Sequence, residues 1–150
     1  MDDASRCVTG AALFEHAASE NAAVLPGPAI RRFGAPASML SDNGSCFVGQ
    51  NGRKKGTGTW QPTVFEEELL GRDIALINTR PYHPQTNGKL ERFHRSLVEE
   101  IHHYGSLREY IDYYNESRLH FSLDIDNYET PRMAFRNKRA TKAIRKNDPK

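Results

Sequence analysis

Five apolar residues, Leu90, Phe93, Leu97, Ile101 and Tyr104, recur at spacings of three, four, four and three. That rhythm fits a helix with one buried stripe, so this part of the chain must lie against another packed layer. Asn87 or Thr86 can cap its start and Gly105 can end it. A second helix is expected over Ser106–Arg118, with Leu107, Tyr110, Ile111 and Tyr114 inward. Thr130 and Pro131 open a last one by the cap-then-proline rule.

Upstream, short strand-like runs alternate with helical ones. "CVTGAALFE" (Cys7–Glu15) has β character, and Asp2, Asp3 and Ser5 before it suit a turn. Ser19–Gly34 begins as a helix that Ser19 can cap, but Pro26-Gly27-Pro28 should break or kink it, because each proline removes a helix hydrogen bond. "ASMLSD" (Ala37–Asp42) reads as a short buried strand that ends on an acid. Val64–Asp73 reads as a helix stopped by Gly71, and Ile74–Arg80 as a strand. Between them, residues 48–63 are rich in Gly, Lys and Thr and lack periodicity, as a long functional or mobile loop would. The pattern is that of an α/β domain with late helices added.

Composition sets outer bounds. The chain has 150 residues, 37% of them hydrophobic and 27% charged, enough for one domain with a real core. No apolar run approaches membrane-spanning length. "MDDASRCVTG" lacks the layout of a signal peptide, so a cytoplasmic location is expected. Cys7 and Cys46 show no metal-ligand spacing and are expected to be reduced, buried and inert. From Arg136 to Lys150 seven basic residues face Asp148 alone, a net +6 against −4 for residues 1–135. A core over 1–135 followed by a basic tail over 136–150 suggests a polyanion partner. A solvated, disordered terminus would explain the tail equally well.

Two acids stand out. Asp42 lies at the carboxyl end of a strand, where open α/β sheets present functional groups. The turn chemistry of Asp-Asn-Gly-Ser is the competing explanation. Glu91 follows Leu90, so it points about 100° from the core stripe, at the edge of the buried face. An ion pair with Arg95 would be worth only a few tenths of a kcal/mol. Together the two carboxylates could share hard divalent cations, Mg²⁺ or Mn²⁺. Two such ions about 3.5–4 Å apart can activate water and stabilise a leaving oxygen in phosphodiester chemistry. Lys89, Arg92, His94 and Arg95 beside Glu91, with Lys138 and Arg139 in the tail, could hold DNA phosphates. The histidines lack a paired Cys/His pattern for structural zinc. Trp60 could stack on a base or pack under its loop.

At these residues the chain resembles the catalytic core of retroviral-type integrases and insertion-sequence transposases, the DDE group with a ribonuclease H-like fold. The matching pieces are "DDASR" (2–6), "FGAPASMLSDNGSCF" (33–47), "RPYHPQTNGKLERFHRSL" (80–97), "YYNESRLHFSL" (113–123) and "ETPRMAF" (129–135), in family order. "HPQTNGKLER" is the most specific of them. The resemblance implies a ribonuclease H-like mixed sheet flanked by helices, with Asp42 and Glu91 as the second and third acids of a catalytic triad. It implies Mg²⁺ or Mn²⁺ as cofactor, transposon ends and target DNA as partners, and DNA cleavage followed by strand transfer. A homo-oligomer is expected of a full-length protein, with no membrane association. Tyr114, Asn115, Arg118, His120, Ser122, Leu123, Thr130 and Pro131 match the segment that closes the core.

Three departures qualify the resemblance. The strand carrying the first acid would precede "DDASR" and has no counterpart here. Asp2 and Asp3 match the end of the next strand, so neither is expected to replace that acid. Forty-eight residues separate Asp42 from Glu91, a long interval whose surplus is the 48–63 loop, which looks like an insertion. Pro26-Gly27-Pro28 interrupts the first long helix. These features predict a truncated copy with little or no strand transfer alone, to be improved by an upstream strand carrying an in-register Asp. The competing readings are a non-catalytic DNA-binding remnant, another ribonuclease H-like nuclease such as a resolvase, and a decayed reading frame.

Overall fold

The structure, a computed structural model, describes residues 1–49, 61–79 and 88–146. Trp60, His83, Thr86, Asn87 and most of the 48–63 loop lie outside the described residues. The elements are α1 (Ser19–Ala23), α2 (Pro26–Phe33), β1 (Ser38–Ser41), α3 (Val64–Leu70), β2 (Ala75–Asn78), α4 (Gly88–Glu100), a 3₁₀ turn (Ile101–His103), α5 (Leu107–Glu116) and α6 (Pro131–Lys146). They gather into two compact units. One joins Met1–Ala11 to the chain from Lys89 onward, and the other runs from Ala12 to Gly88. Among the described residues, no helix is long and apolar enough to cross a membrane.

In the Ala12–Gly88 unit, β1 and β2 pair in parallel, with Ser38 opposite Ala75 and Ser41 opposite Asn78. Parallel neighbours need a crossover connection, and α3 lies within it. Because side chains alternate along a strand, Met39 and Leu76 join Ala22, Ile30 and Phe47 around a core of Phe65, Leu69 and Ile74. Leu40 and Ile77, paired on the other face, remain 47% and 49% exposed. β1 is therefore half-covered rather than the buried strand expected from its composition.

Helix ends in this unit follow the local chemistry. Thr63 and Glu66 form a capping box at α3. The buried Glu66 carboxylate also accepts the Gly49 N–H at 2.8 Å. Pro-Gly-Pro does separate two helices, but by opening the second. Pro26 takes the first position of α2, where a missing N–H is harmless. Gly34 ends α2 at φ 83°, a left-handed conformation that favours glycine. Ser19 does not cap its own helix. Its hydroxyl accepts the Phe65 N–H of α3 at 2.9 Å.

The other unit is built on aromatic packing. Val8, Phe93, Tyr110 and Tyr114 form its core, lined by Met1, Leu97, Ile101, Tyr104 and Ile111. Phe93 meets the Tyr114 ring edge-on at 5.0 Å, a favoured aromatic geometry. The stripe read from the sequence holds from Phe93 onward, whereas Leu90 is 42% exposed. The regular helix stops at Glu100 and tightens into the 3₁₀ turn before Gly105. Ser106 caps α5, accepting the Glu109 N–H.

Cys7–Glu15 forms no strand. The side-chain amide of Asn115, itself buried, accepts the Val8 N–H at 2.8 Å and donates to the Val8 carbonyl at 3.0 Å. One side chain thus supplies the pair of bonds that a neighbouring strand would give. The expected turn does form: Asp2 Oδ2 accepts from both the N–H and the hydroxyl of Ser5. Cys7 is buried, and burial pushes its thiol up to about 11. Cys46 is only half-buried, so the expectation of two buried cysteines holds for one. α6 continues without a break from Pro131 to Lys146, so most of the basic stretch is helix.

Candidate active site

The carboxyl ends of β1 and β2 are locked side by side. The Ser41 hydroxyl bonds Asn78 Oδ1 at 3.1 Å, and the Thr79 N–H bonds the Ser41 carbonyl at 2.9 Å. One residue on, Asn43 donates its side-chain amide to the Thr79 carbonyl at 2.8 Å. Asp42 sits between these ties and is exposed. Its Oδ1 accepts the Gly44 N–H at 2.8 Å. The turn chemistry and the strand-end position are thus both real. The turn uses one oxygen of the carboxylate, and Oδ2 has no protein partner among the described residues. A Cβ on Gly44 would stand 2.9 Å from Oδ1, so glycine there leaves Asp42 its place.

Glu91 lies in the first turn of α4, where the helix dipole favours a negative charge. It is exposed rather than set at the edge of the buried face. Among the described residues no ion pair or hydrogen bond engages it, so the pair with Arg95 does not form. Asp42 belongs to the Ala12–Gly88 unit and Glu91 to the other.

Asp2 and Asp3 are both engaged, Asp2 with Ser5 and Asp3 with Lys89 Nζ at 2.5 Å. Among the described residues no three His, Cys, Asp or Glu side chains cluster as a metal centre. Asp42 and Glu91 are each exposed, and each has carboxylate oxygen that no described residue engages, the kind of ligand a hard divalent cation takes.

The expected DNA-contacting residues all belong to the unit containing α4 and α6. Arg92, His94 and Arg95 are exposed on α4, with the His94 ring tilted against Phe93 at 5.7 Å. Lys89 is bound by Asp3, and Lys138 donates to the Ala4 carbonyl. Arg139 lies over the Phe135 ring at 5.6 Å. Most residues of the closing segment make packing or hydrogen-bonding contacts. Arg118 pairs with Glu100, Tyr114 packs in the core, Ser122 accepts from Arg6 Nε at 3.2 Å, and Thr130 and Pro131 start α6. Sequence reasoning missed Arg6. No local signal in "DDASR" shows that Lys89 and Lys138, distant in the chain, donate to the same turn as Arg6.

Comparison with known proteins places this geometry. The catalytic core domain of BIV integrase superposes with a TM-score of 0.63 at 21% identity, over 93% of this chain and 84% of that one. The fold is therefore ribonuclease H-like, with the parallel pair β1–β2 as the sheet among the described residues. A protein of Spiroplasma virus SpV1-C74 bearing the name integrase ORF3 is 31% identical over 103 residues. That match takes in 62% of this chain and 27% of the relative's length. Residues 72–131 match the integrase core domain family. Residues 72–131 thus resemble an integrase core, and the chain shares the fold of a retroviral integrase core. The matched stretch of this core holds Glu91, Arg92, His94 and Arg95 together with the Tyr114–Pro131 closing segment, and Asp42 lies before it.

Proposed function

We propose that this integrase-type core acts on DNA by metal-dependent strand cleavage and transfer, with Asp42 and Glu91 as the metal-holding carboxylates. The observation that carries the reading is Asp42. It stands at the carboxyl end of β1, with one oxygen fixed by Gly44 and the other uncommitted among the described residues. Glu91, at the start of α4 and without an ion pair among the described residues, is the second donor. Mg²⁺ or Mn²⁺ would supply a Lewis acid and an activated water. Arg92, His94, Arg95 and Arg139, with Lys89 and Lys138, hold the DNA backbone, and transposon ends and target DNA are the expected partners.

A second reading, DNA binding without catalysis, is favoured by the commitment of Asp2 and Asp3 to Ser5 and Lys89. Nicking of supercoiled plasmid with Mn²⁺ separates the two. The first reading expects weak nicking that Asp42→Asn and Glu91→Gln each reduce at least ten-fold, about 1.4 kcal/mol of transition-state stabilisation. Nicking that survives Asp42→Asn would sink it. Salt-dependent DNA binding without any nicking would establish the second.

A further inference from the structure

We infer that the Asp3–Ala4 turn occupies a phosphate site built by Arg6, Lys89 and Lys138, from which a DNA backbone phosphate displaces it. The inference rests on DNA being the partner proposed above, but not on catalysis. Three cations from three parts of one unit converge on this turn. Lys89, in the first turn of α4, reaches Asp3 Oδ1 at 2.5 Å and the Asp3 carbonyl at 3.2 Å. Arg6 donates Nη1 to the same carbonyl. Lys138, on α6, donates to the Ala4 carbonyl.

Among the described residues, Asp3 is the one carboxylate these cations meet, because Asp2 is turned onto Ser5. Three positive charges facing one negative charge leave an excess of two. Backbone carbonyls supply the remaining acceptors but carry no compensating net charge. A phosphate is the anion that fits such a set, with several acceptor oxygens for ammonium and guanidinium donors.

The arrangement is held in place before any ligand arrives. Arg6 Nε is fixed on Ser122 Oγ at 3.2 Å. The Arg6 backbone sits at φ 63°, a left-handed conformation uncommon for a residue with a Cβ, and is tied by its N–H to the Asp2 carbonyl at 3.0 Å. The competitor is weakly held. The Asp3 side chain is 81% exposed, and exposed ion pairs contribute little. Asp3 thus acts as an in-chain stand-in for phosphate, lowering DNA affinity until it is displaced.

Fluorescence anisotropy with a labelled duplex oligonucleotide, in EDTA and across a salt series, tests this on the whole chain. Asp3→Asn should tighten binding about 3- to 10-fold at low salt, whereas Asp126→Asn, an exposed acid elsewhere in the unit, should change it less than about two-fold. Lys138→Gln and Lys89→Gln should each weaken binding, reduce the log–log salt slope by about one, and diminish the Asp3→Asn gain. Inorganic phosphate at matched ionic strength should not compete. Equal gains from Asp3→Asn and Asp126→Asn, an unchanged slope in Lys138→Gln, or no DNA binding by Asp3→Asn would each overturn the site. Competition by inorganic phosphate would reassign it to free phosphate. Loss of the Asp3→Asn gain with Asp42-dependent nicking intact sinks this site alone. The gain intact without metal-dependent nicking sinks the catalytic reading alone.

Discussion

The group at the centre of the proposed chemistry depends on the residue two positions after it. Asp42 Oδ1 is fixed by the Gly44 N–H, and a methyl on Gly44 would press on that same oxygen at 2.9 Å. A carboxylate is the free end of a side chain and can swing away at little energetic cost, so the effect should fall on function rather than on folding. Gly44→Ala is expected to leave the thermal midpoint within the range of a ~0.5 kcal/mol change while lowering Mn²⁺-dependent nicking several-fold. Calorimetry and a plasmid assay on the same preparation check both halves. Asp42 and Gly44 were legible in "SDNG" as strand end and turn. The division of labour between the two carboxylate oxygens was not, because it depends on the rotamer that Gly44 permits.

At the scale of elements, the amphipathic rhythm of α4 and α5 was readable because helix period and burial share one cause. The rhythm overreached at Leu90, which lies in the first turn of α4 and stays exposed. The strand expected over Cys7–Glu15 failed for a different reason. β-like composition says that a segment wants backbone partners, and here the partner is the amide of Asn115, 107 positions away. Asn115→Ala would leave the buried Val8 N–H and carbonyl bare, at roughly 1–3 kcal/mol for each group. Urea denaturation should show a lower midpoint. Asn115→Asp should also be destabilised, since it keeps an acceptor for the N–H but sets a charge against the carbonyl. A midpoint unchanged in Asn115→Ala would mean that this clamp contributes nothing to stability.

At the scale of the molecule, the chain divides into two units, one assembled from both ends of the sequence. The terminal unit carries a pH-sensitive element. Burial, then the charges of Arg118, Arg6 and Arg92, hold His120 below its ordinary titration range. Its ring packs edge-on against Tyr114 at 5.0 Å, and its Nε2 has no hydrogen-bond partner among the described residues. A folded pKa below the unfolded value of about 6.5 means that the unfolded chain takes up a proton the folded state refuses. The contribution of His120 is therefore complete above that pH and lost as pH falls through and below it. The melting temperature should drop between pH 7 and pH 5, and His120→Gln should flatten part of that drop. A wild-type midpoint that rises on acidification would contradict the assignment.

The sequence by itself determined most of the helices, both strands, the interruption at Pro26-Gly27-Pro28, the turn at Asp2–Ser5 and the two acids worth testing. Each follows from short-range causes: hydrophobic period, capping chemistry, and the missing N–H of proline. Only the tertiary structure decided that β1 has an open face, that Ser19 serves α3, that Asn115 replaces a strand, and that Lys89, Lys138 and Arg6 meet at one turn. Those outcomes depend on which distant side chain reaches a backbone group first. Residue spacing along the chain carries no information about that.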